Sequence, residues 1–315
     1  MQLKPIIPFE PVATDIIPRG ENWIAQVKWD GVRVLTYYDG HEIKLYNRRI
    51  NERTYHYPEL LKITSYCRAN SAILDGEIIA LGSNGKPSFY EIMRRDALRR
   101  MERVKDVQKQ VHITYMIFDM VYYNGHWLNQ HSLHERIEIL SDTIIPGEHV
   151  QLVTSERDSE ALFQVVKQQH MEGIVIKDLS SKYYINAKND RWQKKKHFRD
   201  LVAAVGGVTL RDGIVNAVLL GLHDEKGQLR YVGHAGTGKL KHREWKKLTE
   251  RVKPLMTKER PFVNRPERIK DVIWLKPEIT AKIQFAEWTL EKVMRQPSIQ
   301  AFVDIPPEEC MLLDE

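Results

Sequence analysis

Cysteine is nearly absent: Cys67 and Cys310 are the only two in 315 residues, and they form no metal-spaced pair. That excludes a disulfide scaffold and a cysteine-based zinc site, and it fits a reducing cytoplasm. Long hydrophobic runs are missing too. Nothing approaches the roughly 18–20 consecutive apolar residues of a membrane helix, so no membrane association is expected. The opening Met1-Gln2-Leu3-Lys4-Pro5-Ile6-Ile7-Pro8 lacks a signal-peptide layout, and a cytoplasmic location is predicted. The chain also shows no internal repeat, no low-complexity tract and no long linker. At 315 residues it has room for about two domains of ordinary size, and 42% hydrophobic content can bury real cores.

The formal net charge is +6, which permits a polyanionic partner without proving one. Placement says more than the total. From Lys182 to Arg199 the basic residues are Lys182, Lys188, Arg191, Lys194, Lys195, Lys196 and Arg199, against Asp190 as the only acid. A second group is Arg94, Arg95, Arg99, Arg100 and Arg103. Any one such run reads as a solvated face; two shift the reading modestly toward phosphate binding.

The first two-thirds alternates strand-like and helix-like segments. Residues 32–38 are β-rich, Asp39-Gly40 is a turn signal, and 43–46 resumes the alternation, which predicts a hairpin. The apolar spacing of Leu60, Leu61, Ile63, Tyr66 and Cys67 predicts a helix over 58–69. Strands are expected at 72–81, 111–122 and 173–177, and a helix at 158–169. After about residue 199 short strands dominate, at 201–210, 214–222, 229–233 and 279–288, with one basic helix over 239–252. Several short strands and one helix suggest a small five-stranded barrel of the oligonucleotide-binding (OB) type.

The sharpest local pattern is Lys28-Trp29-Asp30-Gly31-Val32-Arg33. A lysine closes a β-like segment, Gly31 supplies a permissive turn, and Arg33 enters the next strand. Alone this is an exposed strand end. Four segments follow it in order: Leu74-Asp75-Gly76-Glu77, Phe118-Asp119, Glu172-Gly173-Ile174-Val175-Ile176-Lys177, and Trp192-Gln193-Lys194-Lys195-Lys196. By default Glu77 is an exposed strand residue, Phe118 is core, and Lys194 to Lys196 a solvated edge. Five patterns in this order outweigh those defaults.

The set resembles the covalent nucleotidyltransferase superfamily and, within it, the ATP-dependent DNA ligases. The resemblance runs over nearly the whole chain. The stretch from Lys276 to Thr289, followed by Arg295-Gln296-Pro297-Ser298, is similar to the ligase domain of bacterial end-joining ligases. It implies an α+β fold: a nucleotidyltransferase (adenylation) domain over 1–198 and an OB-fold β-barrel domain over 199–315. The implied nucleophile is Lys28, taking AMP from ATP. A lysine nucleophile must lose its proton, and Lys194, Lys196 and Arg33 are suitable cationic neighbours for that. The same resemblance puts Gln26 at the adenine, Glu77 on the ribose and Phe118 stacked on the base. It puts Lys194 and Lys196 on the α-phosphate, and Arg48 at the nick 5′-phosphate or the nucleotide. Glu172, with Glu77, would hold the divalent metal, Mg²⁺ (or Mn²⁺). The implied partner is nicked double-stranded DNA, with end-joining or repair proteins as further candidates, and the implied state is a monomer.

Two departures stand out. Gln26 occupies a position where many DNA ligases carry glutamate. A glutamine accepts and donates, which implies looser base selectivity. Near the C-terminus the resemblance calls for an arginine that orients pyrophosphate, and the chain has Val303 there. Either another basic residue, such as Arg295, substitutes or self-adenylation is slow. Three look-alikes are set aside. Gly233 to Lys239 matches a phosphate loop, but Leu240 follows where a metal-binding Ser or Thr is required. His131, His134 and Glu135 are in the wrong order for a zinc protease helix and read as surface helix. Trp245 and Trp288 could stack on bases, although barrel core suits Trp288 better. Two other readings stay open: an RNA ligase or capping-type guanylyltransferase, and a catalytically decayed nucleic-acid-binding module.

Overall fold

The computed structural model describes residues 3–312 apart from 84, 237, 239 and 268. The chain divides into two compact units, Met1–His197 and Phe198–Glu315. No helix among the described residues is long and apolar enough to cross a membrane.

The first unit contains strands β1 (Glu10–Ala13), β2 (Trp23–Val27), β3 (Val32–Tyr38), β4 (Ile43–Asn47), β5 (Ala72–Ala80), β6 (Ile113–Tyr123), β7 (His126–Trp127), β8 (Val150–Leu152), β9 (Gly173–Asp178) and β10 (Lys188–Lys196). Its helices are α1 (Phe89–Asp96), α2 (Val104–Gln108), α3 (Leu133–Thr143) and α4 (Ser159–Gln168). The strands make two sheets, ordered β1-β10-β9-β2 and β4-β3-β5-β6-β7, with β8 paired to β6. β3 and β4 form the expected hairpin, whose turn is tied by Asp39 accepting from the amides of His41 and Glu42.

Strand alternation decides what each sheet presents. In the first sheet Ala25, Ile174 and Ile176 pack with Val166 of α4 on one side. Ile24 and Trp192 face the other way, into a core shared with Leu35, Tyr37, Ile73 and Val121 of the second sheet. The far face of that second sheet is covered by the largest core, around Val34, Leu74, Ile78, Tyr115 and Leu140. The two sheets thus sandwich one apolar layer.

The segment 58–69 is not the predicted α-helix. It runs as 3₁₀ turns, Pro58–Leu60 and Ile63–Ser65, preceded by another at Thr54–His56. The buried side chains Tyr57, Leu60, Ile63 and Tyr66 recur every three residues, which is the 3₁₀ period. The helix expected at 158–169 is α4, capped by Asp158 accepting from the Ala161 amide.

The second unit comprises β11 (Arg199–Arg211), β12 (Ile214–His223), β13 (Leu229–Ala235), β14 (Met256–Thr257), β15 (Val272–Phe285), β16 (Glu287–Trp288), β17 (Met294–Arg295) and β18 (Ser298–Val303), with helix α5 (His242–Val252). Its main sheet is ordered β13-β12-β11-β15-β14, and β18 joins β15. β15 begins seven residues before the expected strand, because its first half pairs Gly207–Thr209 and its second half Arg199–Val205. Leu248 and Val252 of α5 sink into the core beside Val218, Ile279 and Ile299. Trp245 and Trp288 both pack partly buried against that core. Thr237 and Lys239 of the phosphate-loop look-alike, and with Lys239 the expected helix start, lie outside the described residues, as do Met1 and Gln2.

Candidate active site

The alternation that points Ala25 and Ile176 toward α4 places Gln26, Lys28, Lys177, Trp192, Lys194 and Lys196 on the opposite face of one sheet. Register confirms the neighbours: Gln26 opposes Val175, Trp192 opposes Lys177, Lys194 opposes Val175 and Lys196 opposes Gly173. Lys195 points away, its Nζ donating to the Asp15 carbonyl and lying 5.0 Å from the Phe163 ring. Gly173, at the head of β9, permits this approach: a Cβ there would lie 2.2 Å from the Lys195 carbonyl oxygen.

Lys28 follows β2 directly, and its amide donates to the Gly173 carbonyl. Its Nζ donates to Glu172 Oε2 at 2.5 Å, while Lys196 Nζ holds the other oxygen, Oε1, at 2.8 Å. The nearest group to the lysine is therefore a carboxylate, not the cations the sequence reading stressed. Burial opposes ionisation of Glu172, but Lys28 and Lys196 outweigh it and hold its carboxyl below the usual range. Lys194 is held below its ordinary value by burial and by the charges of Lys28, Lys188 and Lys196, so the cations do crowd one another. Gly31 serves a close approach rather than a turn. A Cβ on it would come within 2.2 Å of the Ile78 carbonyl oxygen.

The second sheet supplies the remaining groups. Arg33 and Glu77 are register partners on β3 and β5. Arg33 is clamped by Asp75 through two bonds of 2.9 and 2.6 Å, and Tyr183 donates to the same carboxylate at 2.6 Å. Burial works against the guanidinium, yet Asp75 keeps its pKa raised. Its charge is paired with Asp75 and still acts on Glu77. Burial pushes the Glu77 carboxyl up to about 8, against the pull of Lys28 and Arg33. Phe118 is partly buried, with Lys177 Nζ 4.3 Å and the Arg33 guanidinium 5.3 Å from its ring centroid. Arg48 stands apart, half exposed beyond β4, with Glu10 at 3.6 Å.

The sequence reading assigned no role to Lys177. It is 2% exposed, its Nζ has no hydrogen-bond partner among the described residues, and it sits 4.1 Å from the Trp192 ring. Burial drives its pKa down to about 7 despite Asp119 and Asp75. Its signal in the sequence was a charge at the end of the otherwise apolar stretch Gly173-Ile174-Val175-Ile176-Lys177. The basic groups also sort themselves. Arg95 is a buried structural residue, paired through two bonds with Glu59, and Arg94 is held by Glu91 and Gln110. His131 and His134 are exposed, each facing a glutamate one turn on.

No group of three or more His, Cys, Asp or Glu among the described residues could by itself hold a metal. The donor set is nevertheless suited to Mg²⁺, which takes one or two carboxylates and fills its shell with waters and phosphate oxygens. Lys28 and Lys196 favour the ionised form of Glu172, and the charge of Glu172 is felt at Glu77. A lysine at a strand end, flanked by cations on one sheet face and carboxylates around it, is equipped for nucleophilic attack on a phosphate.

Residues 10–196 match the ATP dependent DNA ligase domain, and residues 211–303 the ATP dependent DNA ligase C terminal region. The chain belongs to the family of ATP-dependent DNA ligases, carrying its adenylation domain and its OB-fold C-terminal region. It is 29% identical over 296 residues to the multifunctional non-homologous end joining DNA repair protein LigD of Mycobacterium tuberculosis (strain ATCC 25618 / H37Rv), with 89% of this chain covered. It spans only 36% of that relative's length. The crystal structure of the ligase domain of M. tuberculosis LigD matches with a TM-score of 0.52 and 27% identity, covering 98% of each chain. Mycobacterial DNA ligase D complexed with ATP and MES matches with a TM-score of 0.51 and 27% identity, covering 97% of each.

Proposed function

We propose that the chain seals 5′-phosphate/3′-hydroxyl nicks in duplex DNA through a lysyl-AMP intermediate. The observation that carries this reading is the convergence of Lys28, Lys194 and Lys196 on one sheet face, with the Glu172 carboxylate bonded to Lys28 and Lys196. Lys28 Nζ attacks the α-phosphorus of ATP, an N–P bond forms and pyrophosphate leaves. The 5′-phosphate of the nick then takes the AMP, and the 3′-hydroxyl expels it. Glu172 lies within hydrogen-bond reach of the proton that Lys28 must lose. Lys194 and Lys196 would steady charge on the α-phosphate, and Phe118 and Gln26 would hold the base. Glu77, kept neutral by burial until a cation is bound beside it, can hydrogen-bond a ribose hydroxyl. Arg48 is assigned to the nick 5′-phosphate, which its exposure suits.

Glu172, with Glu77, would hold the divalent metal, Mg²⁺ or Mn²⁺. That ion, when bound, neutralises phosphate charge. We assign the catalytic domain to 1–198 and the OB domain to 199–315. A hinge at His197–Asp200 fits the short join between β10, ending at Lys196, and β11, starting at Arg199. The LigD relatives act in end joining and DNA repair by name, and repair of broken or nicked DNA is the role proposed here.

Arg295 is a weak stand-in for the missing arginine, since Glu287 already binds it at 2.6 Å. Val303 closes β18 opposite Thr280, and it carries no charge to offer pyrophosphate. Self-adenylation is accordingly slow. The deciding experiment is intact mass after ATP and Mg²⁺, then after 5′-phosphorylated nicked DNA, with Lys28→Ala as control. The expected result is one AMP gained by the wild type only and discharged as the nick is sealed. An adduct on Lys28→Ala, or an adduct that DNA never discharges, would overturn the reading.

A further inference from the structure

Gln26 shares its sheet face with Lys28, two residues on, and is only 3% exposed. Its Nε2 donates to the Ser155 hydroxyl at 3.0 Å. Ser155 is put there by a backbone bridge one residue along, where Ala25 and Glu156 each donate to the other's carbonyl at 2.8 Å. Among the described residues no donor reaches the other end of the amide, Oε1.

A primary amide offers an acceptor on one side and two donors on the other, and a hydroxyl is donor and acceptor at once. Two arrangements therefore satisfy the pair equally. In one, Nε2 donates to Ser155 and Oε1 is left to accept from an amino group. In the other, the amide is turned over, Ser155 donates to Oε1, and Nε2 is left to donate to a carbonyl. Adenine and guanine differ in this very feature, an exocyclic amino group against a carbonyl oxygen. A carboxylate in place of Gln26 could only accept, and it would meet the guanine oxygen with repulsion.

We propose that the Gln26–Ser155 pair makes this a purine site instead of an adenine site, so that Lys28 takes GMP from GTP as well as AMP from ATP. The inference rests on Lys28 being the nucleophile and on Gln26 lying against the base. With either nucleotide the same bonds change. Nζ bonds to the α-phosphorus, the bond from that phosphorus to the bridging oxygen breaks, pyrophosphate leaves with the electron pair, and the lysine proton passes by way of Glu172 to solvent. A buried group that hydrogen-bonds a substrate atom rejects the mismatched analogue by about 10⁴-fold, because a polar group is left unpaired. An amide free to turn removes that penalty, so the ATP and GTP loading efficiencies fall within about tenfold of each other.

The test measures covalent loading of the full chain by ATP and by GTP, with Mg²⁺, after pyrophosphate has discharged any bound nucleotide. Intact mass identifies the adduct, and initial rates give the ratio. The wild type is expected to load with both. Gln26→Glu and Ser155→Asp are each expected to raise the ATP-over-GTP ratio by more than tenfold, the first by removing the donor, the second by holding Nε2 away from the base. A wild type that loads ATP but not GTP refutes the inference and leaves Lys28 as nucleophile. Equal ratios in wild type and both variants refute the role of the pair. Loading by neither nucleotide refutes the nucleotidyl-transfer reading, and the inference falls with it.

Discussion

Replacing Lys177 by methionine should make the first unit more stable at neutral pH. The side chain is buried, its Nζ has no hydrogen-bond partner among the described residues, and it lies against the rings of Trp192 and Phe118 at 4.1 and 4.3 Å. A fall from 10.5 to about 7 costs the charged form about 5 kcal/mol at ~1.4 kcal/mol per unit. Two desolvated cation–π contacts return about 1–2 kcal/mol apiece. The remainder, roughly 1–3 kcal/mol, is what methionine recovers, since it fills similar space and keeps favourable sulfur–aromatic contact. At ~2–4 °C per kcal/mol for a unit of this size, Tm should rise by roughly 5 °C. The sign with pH follows from proton counts. Between about pH 7 and 10.5 the unfolded lysine binds a proton that the native one does not, so wild-type stability gains as pH rises. The penalty is complete below pH 7 and fades toward 10.5, and the advantage of Lys177→Met shrinks accordingly. Thermal melts of both proteins from pH 6.5 to 9.5 check this. A less stable variant at pH 7, or a gap that does not narrow with pH, would refute the account of Lys177 as a buried, poorly compensated cation.

Three more expectations can be checked directly. Glu77 is raised from 4.5 to about 8, so its contribution to stability is present below pH 4.5 and lost as pH climbs through 8. Glu77→Gln should flatten that decline in urea titrations at pH 5, 7 and 9; an unchanged slope would place the carboxyl in a less buried setting. Wild-type self-adenylation should be slow while sealing of a pre-adenylated nick stays near normal, and single-turnover rates for the two steps decide it. Val303→Arg should speed the first step and leave the second, whereas fast adenylation by the wild type would remove the significance of Val303.

Much of the fold was legible because strand periodicity is local. The 32–46 hairpin, the Gly173 strand and the α4 helix follow from alternation, turn residues and caps that lie within a few positions of one another. Residues 58–69 were misread because apolar spacings of three and of three-and-a-half look alike over one or two turns. Only the strict recurrence at Tyr57, Leu60, Ile63 and Tyr66 separates them. Gly31 was misassigned for a related reason. A demand set by a backbone neighbour 47 positions away, Ile78, leaves no trace beside it in the sequence.

By itself the sequence determined the order of the motifs, the likeness to the ligase family and, once β10 forms there, the parity that sends Lys194 and Lys196 one way and Lys195 the other. Parity is a property of the chain alone, since successive strand residues point to opposite faces. The tertiary structure decided who meets whom. It matched Arg33 with Asp75, set Glu172 against Lys28, buried Lys177 between two rings, and brought Ser155 to Gln26. These contacts join residues 42, 144 and 129 positions apart in the chain for the three bonded pairs. Pairings at such separations are chosen by how two sheets pack and register, which no local pattern encodes.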